Sequence, residues 1–243
     1  MTLGDFTAQA TAYAARPTYP AALVDRLIDR LGLAPGARVA DLGAGTGIFT
    51  ALLAARGLVI DAIEPGAAMR AQAAPHPAVT WRDGRFEATG LADGAVAWIT
   101  AAQAFHWADP PRALPELRRV LAPGGHLTCL WNDRRDADSE VLREVMAIIR
   151  REAPDFDERY RDRPWAEVLV GGGHFTDVAL DAEPHDVIMP RDRFRALWRS
   201  HNHLADRAGP RLPAVLAAID ALTAPLGEIA VPYLTRAYTA RRA

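Results

Sequence analysis

Short apolar runs alternate with helical spacing through the first half of the chain. Pro20 opens a pattern in which Leu23, Leu27, Ile28 and Leu31 fall on one helical face, ended near Gly32. Positions 38–42 then read as a buried strand, followed by a glycine turn and a helix over about 46–56. The alternation continues with a strand at 58–63, a helix from Pro65 to Ala74, a short strand at 78–82 and a fourth at 95–101. A helix at 110–121, the Pro123-Gly124-Gly125 turn and a fifth strand at 126–131 complete it. Such alternation is the mark of βαβ units around a parallel sheet. Beyond residue 131 the pattern loosens. It predicts a helix at 139–152 with Asp138 as N-cap, strands at 175–180 and 186–189, helices at 191–199 and 213–222, and a last strand at 229–236.

The turn Asp41-Leu42-Gly43-Ala44-Gly45-Thr46-Gly47 is the most informative segment. Glycine admits positive φ and lets a ligand approach the main chain, while the N–H groups of the following helix face what is bound. A dinucleotide fingerprint would place a third glycine at 48, where this chain has Ile48, so the spacing is G-x-G-x-G. Glu64 closes the second strand about 20 residues after the turn, where a carboxylate can accept the hydroxyls of a ribose. Its plainer reading is a cap on the helix at Pro65.

Composition narrows the function classes. Hydrophobic residues at 50% and charged residues at 24% are globular proportions. A net charge of −2 supplies no general field for nucleic acid. The 28 basic residues are all arginine, which excludes a Schiff-base or P-loop lysine. One cysteine, Cys129, can form neither an internal disulfide nor a multi-thiolate zinc site. The opening residues lack a signal-peptide pattern, and the uncharged runs 42–55 and 94–108 are glycine-broken and too short for a membrane span. A cytoplasmic protein without membrane attachment is expected.

Taken together, several motifs resemble the class I S-adenosylmethionine-dependent methyltransferases. They are the turn at 41–47, Ile63-Glu64-Pro65, Met69, Gly84 to Glu87, the run Ala102-Gln103-Ala104-Phe105-His106-Trp107, and 119–125. That run and Tyr13, Arg16-Pro17 and Tyr19-Pro20 are similar to a subgroup that includes trans-aconitate methyltransferase-like proteins, with a weaker likeness through 198–203 and Pro232-Tyr233. The resemblance implies an α/β fold: a Rossmann-like, seven-stranded, mostly parallel sheet with helices on both faces and a helical cap. It implies one domain over 1–243, with a flap at 1–19, a core at about 20–189, a cap at 190–225 and a closing strand at 228–240. S-adenosylmethionine is the implied cofactor. Its methionine part would meet Asp41, Gly43, Ala44, Gly45, Thr46 and Gly47, and Gln103 would bond its amino-acid end or the substrate. Tyr13, Arg16 and Tyr19 would form a flap whose cation meets the cofactor carboxylate or an acidic substrate, or else a plain surface helix. Glu64 and Pro65 would take the ribose, Met69 would cover the adenine, and Arg85, Phe86 and Glu87 would lie at its edge. The chain departs from the pattern at Arg85, where relatives often carry Asp, and at Ala97-Trp98.

The implied partner is a small-molecule methyl acceptor, with O-methylation of a carboxylate or hydroxyl favoured. The missing N/D-P-P-Y-type signature after the fourth strand, with the charge balance, disfavours nucleic acid. Methyl transfer needs alignment and exclusion of water, and a base only where the acceptor must lose a proton. His106 is the candidate general base, or else a structural plug. Tyr19, Trp107, Trp131, Trp198 and His201 are candidate substrate contacts, although a tryptophan at 131 is as readily core. Arg193, Arg195, Arg199 and Arg207 either solvate the cap or turn inward to an acidic substrate. No metal site is expected. Two other readings remain at this point: an NAD-dependent oxidoreductase, and a cofactor-binding relative without catalysis.

Overall fold

The computed structural model describes residue 13, residues 15–154, residue 156 and residues 162–243. Residues 1–12 and 14 of the expected flap lie outside the described residues. The elements begin with α1 (Ala21–Arg30), β1 (Arg38–Leu42), α2 (Ile48–Ala54), β2 (Val59–Ile63), α3 (Ala67–Arg70) and β3 (Val79–Arg82). They continue with β4 (Val96–Ala102), α4 (Pro110–Val120), β5 (Leu121–Arg134), α5 (Glu140–Glu152), α6 (Trp165–Val170) and β6 (Phe175–Pro190). Last come α7 (Arg191–Arg199), α8 (Asn202–Ala208), α9 (Leu212–Leu222) and β7 (Glu228–Arg242).

The strands form a seven-stranded sheet in the order β3-β2-β1-β4-β5-β7-β6. Strands β1 to β5 run parallel, and β7 enters antiparallel between β5 and β6. Successive side chains on a strand point to opposite faces, so a sheet covered on both sides needs apolar residues at consecutive positions. In β1, Val39 packs with Leu23 and Leu27 of α1 and Phe49 and Leu53 of α2 on one face. Ala40 and Leu42 pack with Leu114 and Leu117 of α4 on the other. A third cluster joins α5, α7, α8 and α9 to Ile229, Val231 and Tyr233 of β7. This cap stands over the C-terminal end of the parallel sheet.

Several boundaries differ from the sequence expectation for identifiable reasons. Helix α5 is capped by Ser139, whose hydroxyl accepts from Leu142 N, while Asp138 instead pairs with Arg135 at 2.5 Å. Helix α2 starts two residues late because Gly47, at φ 87°, is its left-handed N-cap. The 175–190 region is one strand, not two. Asp181 and Glu183, which look like a loop in sequence, pair with Arg30 and Arg26 of α1 at 2.6 and 2.9 Å. Pro184, next to Glu183, lies on the edge strand, where proline is tolerated. Strand β5 runs to Arg134, which pairs with Tyr233 of β7, so the antiparallel ribbon extends beyond the parallel strands toward the cap. No helix among the described residues is long and apolar enough to cross a membrane.

Candidate functional site

The C-terminal ends of β1, β2 and β4 converge on the glycine turn, the crevice where open α/β sheets bind ligands. Gly43 has φ 65°, and a Cβ there would stand 2.6 Å from Ala104 Cβ. Gly45 has φ 60°, and its missing Cβ leaves space bounded by Met69 Cε at 3.4 Å and Tyr13 Cε1 at 3.6 Å. Any side chain at either position would be strained and would fill the cradle.

Glu64, at the end of β2, accepts from Gly45 N at 2.9 Å and from Gly66 N at 2.8 Å, and so ties the turn to the next strand. Burial raises its carboxyl above the usual range, with these two N–H donors opposing. Each oxygen keeps a second acceptor position. Asp41 is buried more deeply, and Thr50 Oγ1 and Thr100 Oγ1 donate to its two oxygens at 2.6 and 2.8 Å. Desolvation pushes its pKa up to about 6 despite these bonds.

Gln103, following β4, is held at φ 53°, an uncommon conformation for a residue with a side chain. Its N–H donates to Leu130 O at 2.8 Å, and its Oε1 accepts from Asn132 N at 2.9 Å. Strain of this kind concentrates at functional sites. His106 Nδ1 accepts from Trp131 Nε1 at 3.3 Å. A neutral imidazole that accepts at Nδ1 carries its proton on Nε2.

Two chambers meet at Tyr13, Gly43 and Gln103. The outer one is lined by Gly45, Glu64, Pro65 and Met69 on one side. Arg85, Phe86, Glu87, His106 and Trp107 line the other. The inner one lies under the flap residues Arg16, Pro17 and Tyr19 and the cap residues Leu197 and His201. Its floor is Asp41, Ala44, Asn132, Arg134 and Tyr233. Arg134 pairs with Asp136, and its guanidinium lies 4.4 Å from the Trp198 ring centroid. His201 stacks on the same tryptophan at 5.4 Å.

Residues 40–129 match the methyltransferase domain family. The uncharacterized methyltransferase Rv3342 of Mycobacterium tuberculosis is 34% identical over 226 residues, covering 86% of this chain and 91% of that protein. The chain belongs to the methyltransferase family. A solved structure named for a type II methyltransferase of Anaeromyxobacter dehalogenans superposes on this methyltransferase with a TM-score of 0.70. The two are 28% identical over 93% of this chain and 97% of that one. The expected subgroup is represented by a more distant match. Trans-aconitate 2-methyltransferase of Azoarcus sp. is 30% identical over 188 residues, 75% of this chain and 68% of that enzyme.

Most of the sequence-expected residues of the methyltransferase line one chamber or the other, and four do not. Thr46 and Gly47, at the end of the turn, line neither chamber. Trp131 lines neither chamber: it is core, stacked on Trp165 at 4.4 Å and donating to His106. Trp198 is likewise buried beneath the chamber wall, against Phe194, Arg134 and His201. Both tryptophans support the site from behind. Of the cap arginines, Arg195 and Arg199 pair with Asp220 at 2.5 and 3.3 Å, and Arg193 donates to flap carbonyls. With Arg207 they stay out of both chamber walls. Asn132, Arg134 and Tyr233 were not anticipated. Asn132 and Arg134 reach the chamber because β5 runs on past its expected end at 131, and Tyr233, within the expected last strand, pairs with Arg134 across the ladder. Among the described residues no group of three His, Cys, Asp or Glu is placed to hold a metal.

Proposed function

We propose that the protein binds S-adenosylmethionine and transfers its methyl group to a small anionic acceptor, with a carboxylate oxygen favoured over a hydroxyl. When bound, the cofactor supplies a methyl group on a positively charged sulfur, and the protein's work is alignment and exclusion of water. The residues present fit it. The side-chain-free cradle at Gly43 and Gly45 admits a ligand against the main chain. Glu64 stands over the outer chamber with acceptor capacity for ribose hydroxyls, and Met69 and Phe86 offer apolar surfaces for a purine. Arg16 lines the inner chamber and pairs with no carboxylate among the described residues, so an amino-acid carboxylate extending inward would supply the missing counter-charge.

The observation that favours a carboxylate acceptor is the hydrogen bond from Trp131 Nε1 to His106 Nδ1. With Trp131 donating to Nδ1, the neutral ring has no lone pair at Nε2 and is poorly suited to the general-base role. An acceptor that arrives already deprotonated needs no base. The inner chamber offers Asn132, His201 and Tyr233 beside the Arg134–Asp136 pair as polar partners for such a group.

Calorimetric titration with S-adenosylhomocysteine, alongside NAD, tests the cofactor. Micromolar binding by the natural protein, lost in Glu64→Gln and with NAD silent, is the expected result; failure to bind the homocysteine product overturns it. Acceptor screening should then yield methyl esters by mass spectrometry. The rate on a carboxylate acceptor should be flat across about pH 6 to 8, whereas a histidine base would give a limb rising near its usual pKa of about 6.5. His106→Gln should cost less than about tenfold in kcat.

A further inference from the structure

We infer that Ser200, at the end of α7, is a positioning residue that aims Arg16 into the inner chamber, so that the cap and the amino-acid end of the cofactor are coupled through one hydroxyl. This rests on the cofactor reading above. Arg16 Nε donates to Ser200 Oγ at 2.8 Å, and Arg16 Nη2 donates to Ser200 O at 2.9 Å. Ser200 is fully buried, and its own hydroxyl proton goes to Leu197 O at 2.6 Å, which leaves the oxygen's lone pairs turned toward Arg16. The Tyr13 ring centroid lies 5.3 Å from the guanidinium carbon.

One residue of the cap therefore fixes two of the three nitrogens of a rigid planar fork. The third, Nη1, has no hydrogen-bond partner among the described residues. Arg16 stands in the chamber wall beside Gly43, Ala44 and Gln103. The cap grips the same piece of flap a second time, through Arg193, whose Nε and Nη2 donate to Ala15 O and Arg16 O at 3.2 Å each. A half-buried guanidinium held without a carboxylate partner is a costly arrangement that a bound anion relieves. Pre-orientation by Ser200 lowers the entropy lost when that anion is captured.

The test compares two ligands that differ in the amino-acid arm: S-adenosylhomocysteine and 5′-methylthioadenosine. Ser200→Ala should weaken binding of the first by about tenfold while leaving the second within about twofold of the natural protein. Ser200→Cys, which fills the site with a slightly larger group that accepts hydrogen bonds weakly, should behave alike, so that a loss common to the smaller and the larger variant is not one of packing. In an Arg16→Ala background the Ser200 substitution should have no further effect on either ligand. Equal losses for both ligands, or none for S-adenosylhomocysteine, would overturn the inference while leaving the cofactor reading intact. A natural protein that binds neither ligand would overturn the cofactor reading and this inference with it.

Discussion

At the scale of single residues, Asp41 shows how the site is held at a cost. Its carboxyl titrates near 6 in the folded protein, against about 3.9 in an unfolded chain. Between those values the folded state keeps a proton the unfolded state has lost, so stability falls as pH rises through that window. The shift corresponds to something on the order of 3 kcal/mol once the carboxylate is fully charged. Asp41→Asn removes this dependence. The melting temperature of the natural protein should drop relative to the variant between about pH 4 and pH 7. Parallel profiles for the two proteins would show that burial does not govern this group. The position of Asp41 at the end of β1 was readable from the apolar run before the glycines. Its partners were only half readable: Thr50 is one helix away in sequence, whereas Thr100 arrives through the pairing of β1 with β4.

At the scale of elements, the turn and the caps carry the most specific expectations. Gly43→Ala places a methyl group 2.6 Å from Ala104 Cβ at a φ of 65°. A loss of about 2 kcal/mol or more in urea unfolding is expected, together with loss of S-adenosylhomocysteine binding. Ser139→Ala should cost about 1 kcal/mol through the lost α5 cap, and Asp138→Ala far less. The reverse ranking would restore Asp138 as the cap. The parallel half of the sheet was legible because apolar runs, glycine turns and helical spacing repeat there without interruption. The antiparallel half was not, because β6 is an edge strand with a partly exposed face. Asp181, Glu183 and Pro184 interrupt its apolar pattern, and what makes them strand residues is the arginine pair on α1 and the ladder to β7, both distant in sequence.

At the scale of the whole molecule, function depends on segments far apart in the chain. The inner chamber takes walls from the flap, the glycine turn, β5, the cap and β7. Residues of the turn announce themselves by spacing, and Tyr13, Arg16 and Tyr19 by their motif. Asn132 and Arg134 carry no local signal, since only the length of the β5–β7 ribbon brings them to the site. Strand β7 is also central to the architecture: it pairs with β5 along one edge and β6 along the other. A chain cut before residue 228 should therefore fail to give a sharp thermal transition or a monodisperse peak on size exclusion. The same insertion has a consequence for synthesis on the ribosome. Strand β6 emerges with neither edge matched, and the gap beside β5 stays vacant until residues up to 242 have been translated. The parallel half can condense while translation continues, but the binding chamber is built only after its most C-terminal wall has left the exit tunnel.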